Sequence, residues 1–177
     1  PAPLGRLEAA VTSGGLSTAP WTFAGKLQRL ENKTLRYPGH WKTFQAFQQL
    51  GLFEQNPVTI KEESFIPREV FHTLLQPKIS SDTVRDICVI RVRCEGEIEG
   101  ENAVCTLDLS ETFDEETHFT AMEKFTGWHA GMVAILSAQK KLPKGAIPIE
   151  KALSGKMLEE EAKKRGWTIK NNIIMGV

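Results

Sequence analysis

The hydrophobic positions along the chain change period several times, and each change marks an element. Trp41, Phe44, Phe47 and Leu50 recur at helical spacing and stop at Gly51, a residue suited to the position just past a helix C-terminus. Thr34, Leu35 and Tyr37 ahead of them suit a strand, and residues 27–37 are read as that strand. Pro38 cannot donate to a sheet ladder but fits the first position of a helix. Residues 31–40 therefore read as a strand that turns directly into a helix. A short strand is expected over 7–11 and a short helical piece over 20–26. Residues 54–63 read as a connection. Pro67 opens a second helix, with Val70, Phe71, Leu74 and Leu75 on one face, and Pro77 ends it. Residues 78–84 are polar and read as loop.

Residues 86–112 read as one long hairpin around a two-residue turn at Glu99-Gly100. Opposed residues then have numbers with a constant sum. Ile98 faces Glu101, Cys94 faces Cys105, Val92 faces Leu107 and Ile90 faces Leu109, which makes one face apolar. On the other face Arg91 opposes Asp108 and Arg93 opposes Thr106. Cys94 and Cys105 are read as small buried hydrophobes. A helix is expected over 120–141 with two stripes. Met122, Phe125, Met132 and Leu136 are bulky; Gly127, Gly131, Ala134 and Ala138 are small and favour close approach of another element. Pro148 opens a short helix that Ser154-Gly155 interrupts. It resumes over 156–165 with three acid-before-base pairs at i,i+4, Glu159/Lys163, Glu160/Lys164 and Glu161/Arg165, on a solvated face. Residues 167–177 read as an extended tail with a final strand.

These elements make an α+β fold: a mixed, largely antiparallel sheet with helices packed on one face. The 177 residues suffice for one sizeable core and are read as a single domain. Lys+Arg and Asp+Glu each total 22, and this balance argues against nucleic-acid or anionic-membrane binding. No apolar run reaches the length of a membrane span. Cys88, Cys94 and Cys105 show no metal-ligand spacing, so no metal is expected and a reducing cytoplasm is the default. The acidic run Asp114-Glu115-Glu116 lacks further oxygen ligands at a known spacing. The chain starts at Pro1 without an initiator Met and is read as a piece of a longer one.

The candidate chemistry gathers at the strand–helix junction. A helix N-terminus attracts anions, and a guanidinium beside it can grip a carboxylate with two parallel hydrogen bonds. Arg36, the N–H groups of Gly39, His40 and Trp41, and the His40 ring therefore suggest a carboxylate pocket. The alternative is a structural turn in which Arg36 pairs with a neighbouring acid. Thr12-Ser13-Gly14-Gly15-Leu16-Ser17-Thr18 is a loop that can form an anion-holding nest, or a plain turn. Its glycines lack the spacing of a dinucleotide fingerprint, and no Walker loop, zinc spacing or catalytic-serine elbow appears.

That loop, Lys33-Thr34-Leu35-Arg36-Tyr37-Pro38-Gly39-His40 and the helix ending Leu50-Gly51-Leu52 resemble the C-terminal domain of the saccharopine dehydrogenase family. The likeness continues through Thr120-Ala121-Met122, Thr126-Gly127 and Lys144-Gly145-Ala146-Ile147-Pro148-Ile149-Glu150. It implies a two-domain oxidoreductase acting on an amino acid such as lysine or saccharopine. NAD or NADP would sit in an N-terminal Rossmann domain absent from this sequence, so no cofactor is expected on this chain. The segment itself would bind substrate through Ser13, Gly14, Thr18, Arg36, Gly39 and His40 and form a homodimer. The small-residue helix would return to pack on the Rossmann domain. The rival expectation is a non-catalytic assembly module that kept the fold without the chemistry.

Overall fold

The computed structural model describes residues 4–12 and 14–176. The chain forms two compact units, Pro1–Asp82 and Thr83–Val177. Its architecture is α+β, and every strand pair among the described residues is antiparallel.

In the first unit β1 (Glu8–Val11) pairs with β2 (Lys33–Arg36), from Glu8 opposite Arg36 to Val11 opposite Lys33. The strand expected over 27–37 is shorter because its partner offers only four residues to the ladder. Between them lies α1 (Ala19–Thr22). The junction helix α2 spans His40–Gln49. It starts later than Pro38 because Gly39 sits at φ 98°, a left-handed conformation that cannot lie inside a right-handed helix. Its far end is closed as expected: Gly51 N–H donates to the Gln48 carbonyl at 2.9 Å and Leu52 N–H to Phe47 at 3.0 Å, with Gly51 at φ 83°. Residues read as a connection contain a small hairpin, β3 (Val58–Ile60) with β4 (Glu63–Phe65). Its turn uses Lys61 at φ 58°, where no glycine or asparagine announces it.

Helix α3 (Pro67–Ile79) runs through Pro77. A proline this near the C-terminus forfeits one hydrogen bond, and Ser80 N–H still reaches the Gln76 carbonyl at 3.0 Å. The inward residues are Phe71 and Leu75; Val70 and Leu74 point out. Phe71 is 8% exposed and lies at 5.0–6.5 Å, centroid to centroid, from Phe44, Phe47 and Phe53. An aromatic cluster is thus the core of this unit.

The second unit is built on the long hairpin. Strands β5 (Ile87–Ile98) and β6 (Glu101–Thr112) pair with Cys94 opposite Cys105, Ile90 opposite Leu109 and Arg91 opposite Asp108, the register read from the sequence. Strand β7 (Lys170–Met175) adds to β6. The expected helix over 120–141 is α4 (Ala121–Glu123), a π-helical turn (Lys124–Trp128) and α5 (His129–Ala138). The wider turn shifts the phase of the helix, so Met122 points to solvent while Met132 and Leu136 are buried. Gly127 and Gly131 meet no neighbouring atom where a Cβ would stand.

Two further helices follow, α6 (Ile149–Ala152) and α7 (Gly155–Lys164). Ser154 caps α7, accepting the Met157 N–H. Met132, Ala162 and Trp167 form the core, with Leu109, Phe125, Trp128, Leu158 and Ile169 packed around them. The face of α7 read as solvated is only partly so. Glu161 is 6% exposed and holds both Lys164 and Arg165, while Glu159 pairs with Lys163. The far end of the apolar sheet face stays open, and Cys94 is exposed rather than buried.

Candidate functional site

The junction in the first unit brings Arg36, Gly39 and His40 to the C-terminal end of β2. The left-handed Gly39 turns the chain so that α2 starts directly behind the strand. The first turn of that helix is already engaged by the chain itself. Trp41 N–H donates to the Glu8 carboxylate at 2.9 Å, and His40 N–H donates to the Tyr37 carbonyl at 3.3 Å. The Trp41 bond, helped by the nearby Gly39 N–H and the His40 charge, holds the Glu8 carboxyl below the usual glutamate range. Glu8 is therefore the anion at the helix N-terminus, a role invisible in the sequence until β1 and β2 are paired with Glu8 opposite Arg36. The His40 ring stacks on Phe44 at 4.5 Å and meets Trp41 edge-on at 4.8 Å.

Arg36 does not brace the junction through a neighbouring acid among the described residues. Its guanidinium donates to the Leu35 carbonyl at 2.7 Å, and it forms no ion pair among the described residues. It is exposed, a planar cation with donors to spare. The 12–18 loop attaches at the opposite end of β2. Thr12 and Thr34 hydroxyls lie 2.7 Å apart, and a Cβ on Gly15 would overlap the Asn32 side chain. The β2 strand spans roughly 10 Å between these ends. Gly14 is exposed at φ 87°, and Thr18 precedes the four-residue α1. Ser13 lies outside the described residues. Gly15 thus serves a close internal approach, and the loop opens onto a helix of one turn. These residues do not fit a dinucleotide, whose pyrophosphate needs a glycine-rich turn leading into a full helix.

The second unit holds a charged site that the sequence reading missed. Lys124 in the π-helical turn is 8% exposed. Its ammonium bonds the Glu111 carboxylate, lies 3.7 Å from Asp114 and sits 5.1 Å from the centroid of the Trp128 ring. Asp114 in turn accepts the Thr117 and Glu116 N–H groups at 3.0 Å, which hold its carboxyl below the usual aspartate range. Asp86 accepts the Ala121 and Met122 N–H groups at 2.6 and 2.9 Å, and Thr120 with Glu123 closes a capping box. The helix entry is therefore fixed from three sides. A signal for this cluster existed: the hairpin register puts Glu111 on the apolar face, where a carboxylate needs a counter-charge. Among the described residues no group of His, Cys, Asp and Glu is placed to hold a metal ion, and no helix is long and apolar enough to cross a membrane.

Residues 5–166 match the family model described as the saccharopine dehydrogenase C-terminal domain. The chain belongs to this family. The match extends across both compact units, so the junction and the Lys124 cluster both fall within one saccharopine dehydrogenase C-terminal domain. The family ties the chain to an oxidoreductase. Strand β7 falls after the matched span, yet it completes the sheet of the second unit through its ladder with β6.

Proposed function

We propose that this chain is the substrate-binding and dimer-forming part of an NAD(P)-dependent oxidoreductase acting on an amino acid such as lysine or saccharopine. The family match over residues 5–166 is the observation that carries this reading. The NAD or NADP belongs to a separate dinucleotide-binding domain, and this chain contributes the amino-acid side of the site. Such substrates carry carboxylates. Arg36 is the group here best suited to one, because its guanidinium is exposed and has no acid partner among the described residues. Glu8 already takes the Trp41 N–H, so the carboxylate is assigned to the guanidinium.

Arg36→Lys keeps the charge and loses the planar fork. In the enzyme that carries this domain the substitution should weaken amino-acid binding by about 1–3 kcal/mol, the range for a hydrogen bond to a charged group. The loss should appear in KM if the contact is equal in ground and transition states. The melting temperature should barely change, since the present contact is one exposed bond to Leu35. An unchanged KM with a clear drop in melting temperature would sink the binding role and favour a non-catalytic assembly module.

A further inference from the structure

Strand β5 is the edge of its sheet, with β6 on one side only. It is twelve residues long, and all nine residues from Ile90 to Ile98 are exposed. Long edges of this kind invite another strand, and proteins usually guard them with charge. A row of like charges would repel a second copy. The row here is Arg91, Arg93, Glu95, Glu97, which read backwards is its own complement.

The backbone selects the register. The hairpin closes with Ile98 opposite Glu101 around a two-residue turn, Glu99 and Gly100 at φ 54° and 85°. In such a turn the closing pair is hydrogen-bonded, so the even-numbered residues of β5 bond to β6. The odd-numbered residues turn their N–H and C=O groups outward. A second β5 running antiparallel must therefore pair odd with odd. One such register is centred on Cys94. It sets Arg93 against Glu95 and Arg91 against Glu97 of the second copy, and the same two pairs again by symmetry. The neighbouring registers set Arg93 against Arg93, or Glu95 against Glu95, at the axis.

The apolar side agrees with that register. Ile90 meets Ile98, Val92 stands over Gly96, and Cys94 meets Cys94. Ile90, Val92 and Ile98 are 46%, 47% and 42% exposed, and nothing lies near the Cβ position of Gly96. Within the chain Arg91 already holds Asp108 and Arg93 holds Glu95, both in exposed pairs of small worth, while Glu97 has no ion pair among the described residues.

We propose that two copies of this chain pair antiparallel along β5, in the register that puts Cys94 on the two-fold axis, to make a six-stranded sheet. The proposal rests on the dimer reading above and gives it a place and a register. Opposed residues of this kind have Cα atoms about 4.5 Å apart, within the span a disulfide can bridge.

Sedimentation of the whole chain tests it with Arg93→Glu and Glu95→Arg, both at exposed positions. Each variant alone sets like charges opposite each other twice, and its dimer should dissociate roughly tenfold more readily. An equimolar mixture restores opposite charges and should recover the wild-type constant, which also shows that both variants fold. Mild oxidation should give a covalent dimer that Cys94→Ser abolishes and Cys88→Ser does not. A wild-type dimer unmoved by either charge change would overturn this interface and leave the dimer reading standing. A wild-type monomer at every concentration would overturn both.

Discussion

Lys124 shows how much one residue can hide. Lysine in a helical stretch reads as solvated, yet here the ammonium is buried between Glu111, Asp114 and the Trp128 ring. The side chain is placed there by the π-helical turn, which no sequence period announces. Removing one partner of a buried pair strands the other, and that usually costs more than the pair itself contributes. Lys124→Met should therefore destabilise the second unit by about 3–5 kcal/mol. Adding Glu111→Gln should return part of that loss, because the stranded carboxylate is gone. Urea unfolding of the two variants checks both steps; equal stability of the single and double variants would mean that the loss is packing alone. Cys94 fails in the opposite sense. It was legible as part of an apolar face, but how much of that face is covered is a tertiary fact, and Cys94 is left exposed.

At the scale of elements, what could be read depended on period and punctuation. The β5–β6 hairpin was legible to the residue because alternation over twelve positions and a two-residue turn leave one register. The β3–β4 hairpin was not, since its strands are three residues long and its turn relies on a lysine at positive φ. The junction lies between these cases. Its strand, its helix and its C-terminal stop were visible, but the carboxylate that fills the helix N-terminus comes from β1. Glu8 yields a pH prediction. Its carboxyl is held below the usual 4.5 in the folded chain. The stability this adds is present above the unfolded value and is lost as pH falls through the lowered folded one. Glu8→Gln should thus be less stable than wild type at neutral pH, and the gap should close on acidification below pH 4.5. Denaturant midpoints measured across that range decide it; a gap independent of pH would mean that the charge on Glu8 contributes nothing to α2.

At the scale of the whole molecule, the stretch 78–84 was read as a loop, which holds only from Ser80 on because α3 runs to Ile79, and it was not legible as the place where one compact unit gives way to another. Composition does not change there, and both sides carry strands and helices. What differs is which residues pack together, and that is known only once the chain is folded. The second unit has the ingredients of independent stability: a three-stranded sheet, helices on one face, and a core of Met132, Ala162 and Trp167 drawn from its own span. Its helix entry, its buried Lys124 pair and its α7 cap also use partners from within Thr83–Val177. Residues 83–177 expressed alone should therefore fold. The Trp128 and Trp167 rings, stacked 5.8 Å apart at 19° and set around Met132, are the built-in reporter. A near-ultraviolet circular dichroism signal from that pair, lost in one cooperative transition on heating, is the expected result. Retained far-ultraviolet signal with no tryptophan signal would describe a collapsed chain without fixed packing. The core of the second unit would then need residues before Thr83, and the chain would be one folding domain rather than two.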